Sequence, residues 1–262
     1  MAVSGSGWDI GRSTAFGRSV LWRSKGKGDR APILLVHGGL RGKGTSSKPF
    51  ELLSPLSEER PLFSWDQLGC GESDPPASPE TWGLSRYAEE VEIVRHALLP
   101  EPLHLFGASL GSAIAIEWLV THKPAGIRSI TLMCPIVDGA RAQSSLAAAL
   151  AASGADFPRR FITRRSPPAD PGGVPDPIIN RVVNAELSTW NRTTELKTLP
   201  APVLFMRGEH DYITEADMNA YAALCPGSKT ATISGAAHLA FIDDPATTCS
   251  IVRKFLMSVE AR

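Results

Sequence analysis

Leu103-His104-Leu105-Phe106-Gly107-Ala108-Ser109-Leu110-Gly111-Ser112-Ala113-Ile114-Ala115-Ile116 decides the fold of this chain. Leu103 to Phe106 read as a short buried strand. From Leu110 to His122 the residues are nearly all apolar, the pattern of a helix enclosed on every side. Between the two stands Gly107-Ala108-Ser109-Leu110-Gly111, a G-x-S-x-G pentapeptide. A serine that turns a strand sharply into a helix sits in a strained conformation with its hydroxyl presented, and small neighbours let the turn close. The pentapeptide alone is a weak signal. With a strand before it and a helix after it, it marks a nucleophile.

The same rhythm extends in both directions. Ile33-Leu34-Leu35-Val36 follows Pro32 and runs into His37-Gly38-Gly39. Leu62 to Trp65, Ile130 to Cys134, Val203 to Met206 and Thr230 to Ile233 are further short runs bounded by turn residues. Runs of this kind suit strands covered on both faces, as in a parallel sheet. Leu84, Tyr87, Ala88, Val91, Val94 and Leu98 recur at spacings of three and four and form one apolar helical stripe. Helices are also predicted over 214–224, with Thr214 as N-cap and Asp217 completing an imperfect capping box, and over 246–259. Strand and helix in alternation predict an α/β architecture, a mostly parallel central sheet flanked by helices and joined by right-handed crossovers.

Residues 138–199 interrupt the rhythm. An alanine-rich run, Ser144 to Ala152, is followed by Pro158, Pro167, Pro168, Pro171, Pro175 and Pro177. Such a segment supplies no central strand. It reads as an inserted cap of short helices lying over a core made of residues 1–137 and 200–262.

A chain of 262 residues can bury a sizeable core as one domain with an insertion. Its 27 basic side chains balance 27 acidic ones, which removes the electrostatic reason to expect a nucleic-acid or anionic-membrane partner. No apolar stretch reaches the roughly 18 residues of a membrane span, and the first residues lack the pattern of a secretory leader. Cys70, Cys134, Cys225 and Cys249 are scattered, with no C-x-x-C pair. Buried thiols in a reducing cytoplasm are expected, rather than disulfides or a metal site. The sequence specifies no oligomeric state.

A serine nucleophile needs a base, and the base needs an orienting acid. Gly208-Glu209-His210-Asp211 follows the 203–206 strand, and Gly235-Ala236-Ala237-His238 follows the 230–233 strand. Asp211 and His238 therefore fall just past strand C-termini, where α/β sheets place their sites. The order Ser109, Asp211, His238 is that of the α/β-hydrolase triad. Asp138, past the 130–134 strand, is the alternative acid. The oxyanion donors are assigned to the backbone N–H groups of Gly39 and Leu110. His37 is read as bracing that loop, and Asp66 as capping a turn. His104 lies within a strand and points away from its end.

The motifs together resemble the α/β-hydrolase superfamily, and within it the proline iminopeptidase branch. The carrying residues are His37-Gly38-Gly39, Asp66-Gln67-Leu68-Gly69-Cys70-Gly71-Glu72-Ser73, the Ser109 pentapeptide, Asn191 to Leu196, Gly208 to Asp211, and Ala237-His238 before Asp243-Asp244-Pro245. The resemblance implies the α/β-hydrolase fold, serine hydrolase chemistry with no metal or cofactor, and a small-molecule or short-peptide substrate. It also implies removal of an N-terminal residue, usually proline. Glu186, in Asn184-Ala185-Glu186, matches a cap carboxylate that holds the substrate amine in that family. Phe157, Phe161 and Trp190 are candidates for the apolar wall of the site, or for the contact between cap and core.

The chain departs from the branch at Leu110, where a tryptophan is usual, at Leu68, where an arginine is usual, and at Leu40-Arg41, in place of Pro-Gly. Its cap is also short. Carboxylic ester, thioester or C–C bond hydrolysis is the second reading, and a non-catalytic receptor on the same fold is a third.

Overall fold

A computed structural model of the chain describes residues 2–3, 7–39, 46–99, 101–165, 178 and 181–261. The prolines from Pro167 to Pro177 and the Leu40-Arg41 pair lie outside the described residues. Nine strands form one sheet: β1 (Ala2–Val3), β2 (Asp9–Ala15), β3 (Arg18–Lys25), β4 (Ile33–Val36), β5 (Leu62–Trp65), β6 (Leu103–Ala108), β7 (Ile127–Met133), β8 (Val203–Gly208) and β9 (Lys229–Ile233). Their spatial order is β1-β2-β3-β5-β4-β6-β7-β8-β9. The pairs from β5 to β9 are parallel, and those from β1 to β5 are antiparallel.

The helices are α1 (Leu84–Leu98), α2 (Leu110–His122), α3 (Gly139–Ser153), α4 (Glu215–Ala223), α5 (Ala240–Asp243) and α6 (Pro245–Glu260). A long 3₁₀ segment spans Lys48–Glu58. The capping box of α4 is complete: Thr214 Oγ1 accepts from the Asp217 N–H at 3.1 Å, and Asp217 Oδ2 accepts from the Thr214 N–H at 2.8 Å.

Alternation along each central strand explains the apolar runs. Leu34, Leu105, Ile130, Leu132, Val203 and Phe205 face one core, with α1 and α2. Ile33, Leu35, Phe106, Met133, Leu204 and Met206 face the other, with α6 and the 48–58 segment. Successive side chains point to opposite faces, so a strand covered on both sides is apolar throughout. Burying each such side chain stabilises the fold by roughly 1.5–3 kcal/mol.

The N-terminal hairpin was not expected from the sequence. β2 and β3 are joined by Phe16-Gly17, both at positive φ (50° and 69°), the geometry of a tight two-residue turn. β2 buries only Ala15 fully, which leaves no apolar alternation to read. Gly11 admits the Trp22 ring, which a Cβ would meet at 2.3 Å.

Parallel register brings the strand ends to one edge. Val36 pairs with Gly107, Ala108 with Met133, and Gly208 with Ile233. His37-Gly38-Gly39, Ser109, Asp211 and His238 all follow those ends.

The chain leaves the sheet after β7 and returns at β8. An Asp138–Asn191 bridge closes the base of this excursion. Gly139 N–H donates to Trp190 O at 2.9 Å, and Arg192 N–H to Val137 O at 2.9 Å. Glu117 of α2 anchors the return: it accepts from Trp190 Nε1 at 2.8 Å and from Arg192 Nε and a terminal Arg192 nitrogen at 2.9 and 3.0 Å. Ala142, Ala149, Val182, Leu187 and Leu196 join the α1/α2 core, so the cap is packed into the molecule rather than perched on it.

Candidate active site

Ser109 occupies φ 54°, ψ −125°, at the junction of β6 and α2. That strain is held by packing with no room for larger neighbours. A Cβ on Gly107 would lie 2.7 Å from Gly111 O, and one on Gly111 would lie 2.2 Å from Val36 O. The two glycines of the pentapeptide are thus steric requirements of the turn. Ser109 N–H donates to Met133 O at 2.9 Å, and Ser112 Oγ donates to Ser109 O at 2.6 Å.

Ser109 Oγ lies 2.8 Å from His238 Nε2, and His238 Nδ1 lies 2.7 Å from Asp211 Oδ1. The imidazole donates through Nδ1–H to the carboxylate and accepts the serine proton at Nε2. The rings and carboxylate are buried, with His238 at 1% and Asp211 at 4% exposure. Low dielectric strengthens each of these contacts relative to water. Asp138 is not the acid: it caps α3, accepting from the Arg141 N–H, and takes a hydrogen bond from Asn191 Nδ2.

The acid loop is tied down by buried Arg207. Its Nε donates to Ile213 O at 2.9 Å, and a terminal nitrogen donates to Glu209 O at 3.0 Å. Asp211 Oδ1 also accepts from the Ile213 N–H at 3.0 Å. Gly208 lets the acid loop approach the histidine loop, since a Cβ there would sit 2.1 Å from Ala237 O.

His37 braces the loop that follows β4. Its Nδ1–H donates to Gly38 O at 2.9 Å, and its Nε2 accepts from the Gln67 N–H at 3.0 Å. Gln67 returns a bond from Nε2 to His37 O at 2.8 Å. Burial lowers the His37 pKa, which keeps the ring neutral and able to accept. Gly38 presses on the nucleophile: a Cβ would meet Ala108 O at 2.6 Å and Ser109 Cβ at 2.9 Å. Gly39 follows directly, and Leu110 opens α2, whose N-terminus presents positive dipole to the site.

Asp66 organises the neighbouring loop. It accepts from Ser47 N–H and Oγ, both at 2.7 Å, from Arg23 at 3.0 Å and from the Glu72 N–H at 3.0 Å. These donors hold its carboxyl below the usual range despite burial. Behind it, Glu90 accepts from Trp65 Nε1 at 2.8 Å and from the Leu68 N–H at 3.0 Å, and burial pushes its pKa up to about 8.

The wall candidates separate. Phe157 and Phe161 stack on each other at 5.8 Å, and Phe157 meets Tyr212 at 6.3 Å. Both therefore stand near the base. Trp190 instead joins cap to core through Glu117. Glu186, expected to hold a substrate amine, is held by groups of the protein itself. Its Oε2 accepts from the Leu84 N–H at 2.8 Å, at the first turn of α1, and Arg181 approaches its Oε1 at 3.4 Å. Gly83 leaves room for this, because a Cβ would fall 2.3 Å from Oε1. A carboxylate at a helix N-terminus is a stabilising cap.

Three residues of the site were not singled out for it by the sequence. Tyr212 stacks on the His238 ring at 4.4 Å. Cys134, at φ 53°, donates its thiol to His238 O at 2.6 Å, and burial pushes that thiol's pKa well up. Asp243 accepts from the Ala237 N–H at 2.8 Å through one oxygen. Through the other it accepts from Thr163 Oγ1 at 2.6 Å, the Arg164 N–H at 2.8 Å and the Arg165 N–H at 3.1 Å. One carboxylate thus joins the loop that carries His238 to the cap. Among the described residues, one group has metal-ligand spacing, Cys134, Asp211 and His238, and its acid and base are already bonded to each other. All four cysteines are buried, and no disulfide joins them. No described helix is long and apolar enough to cross a membrane.

A family model described as alpha/beta hydrolase fold matches residues 31–166. A proline iminopeptidase of Heyndrickxia coagulans is 27% identical over 272 aligned residues, covering 88% of this chain and 92% of that protein. One from Lactobacillus delbrueckii subsp. lactis is 25% identical, covering 88% and 91%. Among solved structures, the proline iminopeptidase of Mycobacterium smegmatis superposes with a TM-score of 0.80 at 20% identity, covering 97% of this chain and 99% of that one. The esterase RhEst1 from Rhodococcus sp. superposes with a TM-score of 0.67 at 21% identity, covering 96% and 99%. At those identities the two structures speak to the fold alone.

Proposed function

The chain belongs to the α/β-hydrolase fold family, and from that premise we propose that it is a serine hydrolase working through an acyl-enzyme. The observation that carries the reading is the unbroken chain Ser109 Oγ, His238, Asp211, at 2.8 and 2.7 Å, on a strained turn. Ser109 Oγ attacks the acyl carbon and its proton passes to His238 Nε2. Asp211 holds the imidazole and stabilises the imidazolium that forms. The oxyanion is received by the N–H groups of Gly39 and Leu110. His238 then gives its proton to the leaving group as the C–N or C–O bond breaks. Water repeats the sequence, the C–Oγ bond breaks, and the acid is released.

The leading substrate class is an N-terminal aminoacyl amide, prolyl or alanyl in type, on a small molecule or short peptide. The curated relatives over most of the chain support it. The aromatic surface of Phe157 and Phe161 beside the base suits an apolar side chain. The second reading is ester or thioester hydrolysis. It is favoured by Glu186, whose carboxylate is engaged with Leu84 and Arg181 rather than available to a substrate ammonium. Four buried cysteines joined by no disulfide support a cytoplasmic setting.

Two assays decide. Fluorophosphonate should label the wild type and fail to label Ser109→Ala; labelling of neither would favour a non-catalytic protein on this fold. Prolyl and alanyl naphthylamides with free amines should turn over faster than N-blocked ones. Inert free-amine amides alongside active acyl esters would replace the aminopeptidase reading with the esterase one.

A further inference from the structure

Tyr212 directly follows the triad acid, and its ring lies nearly parallel to the imidazole of His238, 4.4 Å away with 22° between the planes. It is buried, at 9% exposure. Its hydroxyl lies 3.5 Å from His238 Nε2, the atom that also receives the Ser109 hydroxyl at 2.8 Å. Ser109 is its other polar neighbour, through a side-chain hydrogen bond. Burial and the Asp211 charge raise its pKa, so it remains a neutral phenol throughout the working range. Its ring also meets Phe157, which is stacked on Phe161. The hydroxyl therefore stands beside the reacting pair, Ser109 and His238, while its ring packs with the aromatic side chains of the cap.

We propose that Tyr212 is a catalytic residue of the second half-reaction: with His238 Nε2, its phenol oxygen holds the water that attacks the acyl-enzyme. The proposal rests on the serine-hydrolase reading above. The two atoms lie 3.5 Å apart, and one water about 2.8 Å from each can bridge them. A held water needs at least two such partners. In the free enzyme Nε2 is occupied by Ser109. Once Oγ carries the acyl group that donor is gone, and Nε2 is open. The bridging water donates one hydrogen to Nε2 and the other to the phenol oxygen, which leaves a lone pair for the acyl carbon. As the new C–O bond forms, the first proton passes to Nε2, and Tyr212 keeps its own. The intermediate collapses when the C–Oγ bond breaks and the proton on Nε2 returns to Oγ. Acylation needs no such water, because Oγ gives its proton directly to Nε2. The two half-reactions therefore respond differently to loss of the hydroxyl.

Tyr212→Phe removes the hydroxyl and keeps the ring on His238. With an activated aryl ester, the burst of released phenol reads acylation, and the steady phase reads deacylation. The expected result is a deacylation rate lowered about tenfold, the scale of one lost hydrogen bond. The burst rate stays within twofold, and intact-mass spectra show more acyl-enzyme at steady state. Fluorophosphonate labelling and Tm remain at wild-type values, which separates the effect from a packing defect. Equal deacylation rates in the two proteins overturn the proposal, as does an equal fall in both half-reactions. If the wild type forms no Ser109 adduct with ester or fluorophosphonate, the serine-hydrolase reading itself fails and takes this proposal with it.

Discussion

Asp243→Asn tests how the cap is tied to the loop that carries His238. The carboxylate is 7% exposed and accepts four hydrogen bonds, one from the histidine loop at Ala237 and three from the cap at Thr163, Arg164 and Arg165. Two further bonds run beside it, His238 N–H to Phe161 O at 2.9 Å and Leu239 N–H to Ile162 O at 2.8 Å. Asparagine keeps one acceptor oxygen. With that oxygen toward the cap, its NH₂ faces the Ala237 N–H, donor against donor. One charge-assisted bond is lost, at about 2 kcal/mol, and three others fall to neutral strength, at about 0.5 kcal/mol each. The sum, about 3–4 kcal/mol, lowers Tm by about 10 °C in a protein of this size. Because His238 follows Ala237, a displacement approaching 1 Å lowers kcat about 100-fold. Thr163→Val removes only one of the four bonds, so Tm falls by a few degrees and kcat by less than threefold. Differential scanning fluorimetry and steady-state kinetics on an aryl ester measure both. An Asp243→Asn enzyme with Tm within 2 °C of wild type and unchanged kcat would refute the coupling.

Gly111→Ala places a Cβ 2.2 Å from Val36 O, so the strained turn cannot form and fluorophosphonate labelling should disappear. Glu186→Gln should lower stability by about 0.5–1 kcal/mol through the first turn of α1, with KM for free-amine and N-blocked amides changing equally; a selective rise for free-amine substrates would restore Glu186 as an amine ligand. Glu90 has its pKa raised from 4.5 to about 8, so the folded state holds this proton more tightly than the unfolded one. Its contribution is fully present below pH 4.5 and is lost as pH rises toward 8. Relative to Glu90→Gln, the wild type should therefore lose stability across that window, by roughly 5 kcal/mol at most; parallel stability curves for the two proteins would contradict this.

The sequence displayed the strands and turns that bring Ser109, Asp211 and His238 together because their requirements are local. A strand, a G-x-S-x-G turn and an apolar helix follow one another within twenty residues, and the acid and base each stand just past an apolar run. The N-terminal hairpin was invisible because β2 is half-exposed and turns on Phe16-Gly17 rather than on a common turn pair. Asp138 remained a candidate until its bonds to Arg141 and Asn191 placed it at a helix cap. Glu186 could be read as a ligand because the Leu84 N–H that it caps lies 102 residues away. Tyr212, Cys134 and Asp243 belong to the site through contacts that no periodicity encodes. Tyr212 in particular had one signal, its position next to the acid, and adjacency in sequence does not reveal which way a ring turns.

The central claim is that Ser109, activated by His238, becomes covalently acylated. Mass spectrometry of the digested protein after brief exposure to an aryl ester at low pH quench tests it most directly. The account predicts one acyl adduct, on the peptide carrying Ser109, absent in Ser109→Ala and slowed by several orders of magnitude in His238→Ala. An adduct on another residue, or ester hydrolysis that persists unchanged in Ser109→Ala, would contradict it.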